Sequence, residues 1–198
     1  SLRIAHRRSA GVTALGGLRA ACSARTRASR LTASLRLASA HAPEDCRLTD
    51  NLYGGDARYR LCQEVILGIG GVRMLRALGY RNLRRFHMNE GHAALLTVEL
   101  AFEKSRERGE KTISREAVQA IKPLCVFTTH TPVAAGHDQF PLPLVASIIT
   151  GYNHAFDERA REFCLNDVLN MTHLALDHSQ YVNGVAKRHG EVARTMFA

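Results

Sequence analysis

The chain has no tryptophan, only five prolines in 198 residues, and no run near the roughly 18 consecutive apolar residues that a membrane-crossing helix needs. The N-terminus also lacks the continuous apolar core of a secretory signal, so no membrane partner and a cytoplasmic location are expected. The five cysteines, Cys22, Cys46, Cys62, Cys125 and Cys164, are odd in number, scattered and never in a CxxC pair, which argues against a disulfide framework or a thiolate zinc site and for a reducing compartment. No GxSxG elbow or Walker loop occurs. Acidic residues are absent from the first 41 positions, which hold eight arginines. The remainder carries 19 basic against 18 acidic residues, so the net charge of +9 belongs to the start of the chain. The body is nearly neutral and shows no basic stripe interleaved with aromatics, which argues against a nucleic-acid partner.

What is present is ordinary for a globular α/β chain, 45% hydrophobic and 23% charged. Residues 1–41 form a basic segment without clean periodicity, expected to be a disordered arm, a targeting leader or sequence foreign to the native protein. Asn51-Leu52-Tyr53-Gly54-Gly55-Asp56 is a turn signal. The spacing of Leu61, Val65, Leu67, Ile69, Val72, Leu75 and Leu78 then predicts a helix over 57–78, closed by Gly79. Gly68-Ile69-Gly70-Gly71 inside it lacks the preceding strand of a dinucleotide-binding loop and reads as close helix packing.

Further along, a strand is expected over 84–88, a helix over 91–103, a charged turn over 104–111, and a short helix capped by Ser114 that Pro123 stops before a strand over 124–129. Helices are expected over 144–156 and 167–176, a third strand over 179–182 and a last helix over 184–197. Strands that alternate with helices and end in polar residues predict a partial Rossmann-like parallel sheet with flanking helices. Ligands of such sheets collect beyond the carboxyl ends of the strands.

Two strand endings carry the candidate chemistry: Phe86-His87-Met88-Asn89-Glu90-Gly91-His92, and Cys125-Val126-Phe127-Thr128-Thr129-His130-Thr131-Pro132 running on to Gly136-His137-Asp138. Asn89 as a helix N-cap with Glu90 in the first turn would explain two of the first set by capping alone and leave His92 over. The hydroxyls of Thr129 and Thr131 with His130 can read ligand hydroxyls directionally and make the strongest candidate site, with a histidine satisfied inside a turn by its neighbouring threonines as the alternative. Asp56 reads either as part of a glycine-hinged gate or as a helix cap. Arg60 and Glu64, one turn apart, read as an exposed ion pair, and His137-Asp138 as a helix start. Asn183-Gly184 with Lys187-Arg188-His189 suits either an anion or a solvated basic turn. His87, Glu90, His92, His130, His137 and Asp138 offer zinc ligands, but no HExxH pattern occurs and no metal is expected.

FHMNEGHAALL, FTTHTPVAAGHDQF, LYGGDARYRLCQEVILGIGGVRMLRALG and LNMTHLALDHSQYVNGVAKRHGEVARTMF together resemble consecutive motifs of the α-glucan (glycogen, starch or maltodextrin) phosphorylases, over about 42–197. The resemblance implies that residues 42–198 are an incomplete N-terminal domain of a two-domain GT-B glycosyltransferase. The parent would transfer the terminal α-1,4-linked glucose of a glucan to inorganic phosphate, giving glucose 1-phosphate. It implies pyridoxal 5'-phosphate on a lysine of the other domain, its phosphate group exchanging a proton with the substrate phosphate, and leaves a homo-oligomer open. It further implies that Glu90 and His92 line the catalytic cleft, that His130 contacts the 6-hydroxyl of the transferred glucose, with its carbonyl facing the anomeric carbon, and that Asp56 belongs to the gating loop. Ala134 departs from the proline common among relatives, a change that bears on loop rigidity. The 198 residues alone are expected to be inactive; a noncatalytic carbohydrate- or partner-binding module on the same fold is the alternative.

Overall fold

A computed structural model describes residues 3–4, 47–51, 54–130, 137–150, 152, 164–165, 167–186 and 190–191. Its frame is a four-stranded sheet in the order β1-β2-β3-β7, built from β1 (Arg3–Ile4), β2 (Phe86–Asn89), β3 (Cys125–Thr129) and β7 (Tyr181–Gly184). β2, β3 and β7 run parallel, and β1 pairs antiparallel with β2. The register sets Phe86 beside Cys125 and Met88 beside Phe127, and all four are fully buried. Alternation sends His87, Asn89, Val126 and Thr128 to the opposite face. Across that face the Thr128 hydroxyl donates to Asn183 Oδ1 (3.0 Å) and so accepts from His87 Nε2–H (2.6 Å), which fixes the histidine tautomer.

The first helical arm follows the expected span but is not uniform. α1 (Ala57–Val65) widens into a π turn over Ile66–Gly70 and resumes as α2 (Gly71–Ala77). The glycine run in this turn is a packing device: a Cβ on Gly68 would sit 2.7 Å from the Leu96 backbone nitrogen. Gly79, at φ +91°, ends the arm as expected, with Tyr80 N–H donating to Leu75 C=O and Gly79 N–H to Arg76 C=O in a Schellman closure.

After β2 comes a 3₁₀ turn (Gly91–Ala93) and then α3 (Leu95–Glu107), whose Leu95, Leu96, Val98, Leu100 and Ala101 enter the core. α3 therefore runs into the segment expected as a charged turn, and Lys104 pairs with Glu107 on its last turn. α4 (Arg115–Ile121) starts where expected, with the Ser114 hydroxyl accepting from Ala117 N–H (3.2 Å), and a 3₁₀ turn containing Pro123 leads into β3.

Three expectations need correcting. α5 spans Leu142–Ile148 instead of 144–156, because the backbone leaves the helical region at Ile149; Phe156 lies outside the described residues. The segment 167–176 is not one helix. Asp167 turns at φ +59°, β6 (Val168–Asn170) follows, and α6 (Met171–Asp177) begins only where the Asn170 side chain accepts from the Thr172 and His173 N–H groups. β6 lies between β4 (Gln139–Pro141) and β5 (Cys164–Leu165) in a small antiparallel sheet that the sequence did not announce. The third parallel strand sits two residues later than expected, and of the last expected helix only 190–191 are described. Among the described residues no helix is long and apolar enough to cross a membrane.

Candidate functional site

The carboxyl ends of β2 and β3 are joined by one side chain. Glu90 leaves β2 at φ +73°, a conformation uncommon for a residue with a Cβ. Its N–H donates to Thr128 C=O (2.9 Å), and its buried carboxylate accepts from the Thr129 hydroxyl (3.1 Å) and from the His130 backbone N–H. The His130 ring lies beyond the same oxygen, Nδ1 at 3.8 Å, with its side chain 40% exposed. Asn89 is the last residue of β2, not a helix cap: the N-cap position falls to Glu90, which makes no side-chain capping bond there. Capping thus fails to explain Glu90, and strand-to-strand fastening replaces it. Thr129 is buried and its hydroxyl donates to Glu90, so it takes part in this fastening. Thr131 lies outside the described residues.

His92 occupies the turn two residues on. Burial pushes its imidazole down to about 4 against the opposing charges of Asp138 and Glu90, and Arg60 adds the smallest contribution in the lowering direction. It is therefore neutral at pH 7, able to offer one ring nitrogen as donor and the other as acceptor. A folded value of about 4 against 6.5 in the unfolded chain means that the unfolded state takes the proton first as pH falls. The stability tied to neutral His92 is complete above pH 6.5 and drains away as the pH drops towards 4, a loss of roughly 2–3 kcal/mol. Urea titrations of wild type and His92→Gln at several pH values check this: the wild-type slope over that window should flatten in the variant.

Gly91 sets the depth of the turn. A Cβ there would meet Thr172 Oγ1 at 2.9 Å, so the turn rests against the start of α6. Thr172 in turn shares a hydrogen bond with His137 Nδ1 (2.8 Å), and Asp138 C=O accepts from Met171 N–H (3.1 Å). Asp138 thus precedes β4 instead of starting a helix.

Arg60 Nη2 reaches Asp138 Oδ2 at 2.5 Å and Glu64 Oε1 at 3.7 Å, the three side chains being 18%, 23% and 3% exposed. The pair expected to be a solvated surface bridge is an interior cluster. The signal was there, since Glu64 falls at i+3 from Leu61 and i−3 from Leu67 on the apolar stripe. Asp56 caps α1, accepting from Tyr59 N–H (2.8 Å), and is exposed. The structure therefore gathers Asn89, Glu90, His92, Thr129 and His130, backs them with Arg60, Glu64, His137 and Asp138, and leaves Asp56 on the rim of α1. Among the described residues no group of three or more His, Cys, Asp or Glu side chains is placed to hold a metal.

Parallel strands β2 and β3 that end in gathered buried polar residues define an α/β protein and put the candidate site at their carboxyl edge. Comparison with known proteins makes the class specific. No protein-family model matches the chain. It is 38% identical over 168 residues to glycogen phosphorylase of Mycobacterium tuberculosis, covering 76% of this chain and 19% of that protein. It is 36% identical over 160 residues to maltodextrin phosphorylase of Thermococcus litoralis (79% and 19%), and 26% over 166 residues to glycogen phosphorylase of Aquifex aeolicus (80% and 23%). Over about three quarters of its length the chain is homologous to proteins named glycogen or maltodextrin phosphorylase. It spans about a fifth of the length of these relatives.

Proposed function

We propose that this chain supplies part of the glucosyl-binding wall of a cytoplasmic α-glucan phosphorylase, the enzyme class that releases glucose 1-phosphate from the end of an α-1,4-glucan with inorganic phosphate. The observation that carries the reading is the convergence of Glu90, neutral His92 and half-exposed His130 at the joined ends of two parallel strands. A neutral imidazole pairs with a sugar hydroxyl as donor or acceptor and carries no charge that would have to be desolvated, so His92 suits hydroxyl recognition. Glu90, fixed from three sides, holds the strand ends where His130 can reach the ring. Asp56 and the glycines before it would serve as the gate, and Thr131 would offer a further hydroxyl to the glucan.

Pyridoxal phosphate does not fit the residues seen here. Of the described lysines, Lys104 pairs with Glu107 on α3, Lys111 is on the exposed turn after it, and Lys122 pairs with Asp177 before the amino end of β3. None sits at the carboxyl edge, in keeping with a cofactor held by another part of the parent.

The test is a hybrid in which the matched residues replace their counterpart in Thermococcus litoralis maltodextrin phosphorylase. The hybrid should release glucose 1-phosphate from maltodextrin, and His92→Ala within it should lower kcat/KM by about 100-fold or more, the scale of a lost positioning contact. The 198-residue chain alone, mixed with glycogen, phosphate and pyridoxal phosphate, should release none. Full activity of the folded His92→Ala hybrid would remove His92 from the site, and turnover by the isolated chain would show that no other segment is needed.

A further inference from the structure

Both oxygens of the Glu64 carboxyl are buried, and no donor among the described residues reaches either within hydrogen-bond distance. Arg60 stands 3.7 Å from one of them but lies far closer to Asp138, at 2.5 Å. The Asp138 carboxyl faces the same guanidinium, so two carboxyls, one of them buried with both oxygens unpartnered, stand around a single cation. Two carboxylates are both acceptors and cannot satisfy one another unless one of them carries a proton. A single guanidinium also balances one negative charge, not two, and an unbalanced charge in this interior would be strongly disfavoured.

We propose that Arg60, Glu64 and Asp138 form one net-neutral positioning cluster beneath the Glu90–His92 turn, in which the two carboxyls hold a single proton between them. The proton comes from solvent and no bond other than O–H changes. The mechanical link runs through named contacts: Arg60 on α1 grips Asp138, whose carbonyl accepts from Met171 at the start of α6. Thr172, the next residue, supports Gly91 from below. The electrical link is direct, since Arg60, Asp138 and Glu90 all act on His92. Burial, and secondly the charge of Asp138, raise the Glu64 carboxyl well above the usual range, while Arg60 opposes them, which agrees with the shared proton. His137, next to Asp138, is occupied by Thr172. The cluster is a positioning device, acting on the turn through Thr172 and on His92 through its charges.

The proposal takes the Glu90–His92 turn as functional from the reading above, but its readouts involve no glucan, so the two can fail separately. In the 198-residue chain at pH 7, infrared spectra should show a protonated-carboxyl C=O band that disappears in E64Q. It should also disappear in D138N, where Glu64 inherits the whole Arg60 charge and ionises. E64Q, whose amide N–H stands in for the shared proton, should leave the NMR titration of His92 unchanged. R60Q should raise the His92 midpoint and speed amide exchange of residues 90–92 about tenfold or more, without a matching change in β3; R60K should restore part of both. Absence of the band in wild type, or an R60Q chain with normal His92 titration and normal protection of the turn, overturns the proposal. If R60Q does not fold, stability against pH decides. Because the folded state keeps a proton that the unfolded state releases, wild-type stability should fall as pH rises above the carboxylate range and E64Q should not follow it. Parallel curves would refute the shared proton.

Discussion

Gly68→Ala should destabilise the chain by about 3 kcal/mol or more, and the neighbouring Gly70→Ala should not. Helix propensity alone favours both changes by up to about 1 kcal/mol, because alanine restricts the unfolded chain and glycine does not. At Gly68 the new methyl would lie 2.7 Å from the Leu96 nitrogen and 2.9 Å from the Leu95 carbonyl carbon, atoms of a backbone that cannot rotate away. Relief requires α3 to separate from the π turn, opening contacts of Leu95, Leu96 and Ile69 throughout the core. Overpacking of this kind typically costs 1–3 kcal/mol, and more when backbone opposes it, so sterics outweigh propensity. At Gly70 the nearest atom is the Val65 carbonyl oxygen at 3.7 Å, ordinary contact, and a small gain is expected. Urea midpoints of the two variants against wild type give the comparison. Equal behaviour would mean that the close approach does not govern the packing of this arm.

Glu90→Ala is expected to cost about 3 kcal/mol and to loosen the site with it. The substitution leaves the Thr129 hydroxyl and the His130 N–H without the carboxylate they share, and buried groups stripped of their partner cost about 1–3 kcal/mol each. It does not relieve the backbone either, because alanine at φ +73° meets the same steric objection. Glu90→Gly separates the two effects: it recovers about 1 kcal/mol of backbone strain while still lacking the acceptor, so it should fall between alanine and wild type. Glu90→Gln keeps an acceptor oxygen and should come closest to wild type. Denaturant unfolding supplies the ranking, and amide exchange at His130 reports the local opening. A glycine variant more stable than wild type by about 1 kcal/mol would mean that the fastening contributes nothing and that the strain is all there is to recover.

Much of the frame could be read directly. β-branched and aromatic runs ending in polar residues located β2 and β3, the Ser114 cap and the Gly79 closure marked helix ends, and periodicity found the long arm. The missed parts share a physical cause: short strands whose identity depends on partners far along the chain. Val168-Leu169-Asn170 reads as part of a helix over 167–176 until Gln139–Pro141 and Cys164–Leu165 are brought alongside. The site divides in the same way. Glu90, His92 and His130 were visible as chemistry-bearing residues at strand ends, but not that Glu90 would close on the β3 backbone, since neither capping statistics nor spacing encodes a positive φ. Arg60 with Glu64 misled because an i, i+4 pair looks the same on either side of a helix; Leu61 and Leu67 were the local signal, and the partner 78 residues later, Asp138, was not legible.

The widened turn at Ile66–Gly70 has a bearing on insertions and deletions in this chain. A helix of constant pitch advances about 100° per residue, so accommodating one extra residue rotates everything downstream by that amount. Ahead of the turn, Arg60 and Glu64 face Asp138; past it, Arg73 and Arg76 face Glu99 and Glu103 on α3. The arm works as two keys cut on one shaft and set at different angles. Losing a residue at the turn would leave both halves helical and their sequences intact, yet only one of them could engage its lock.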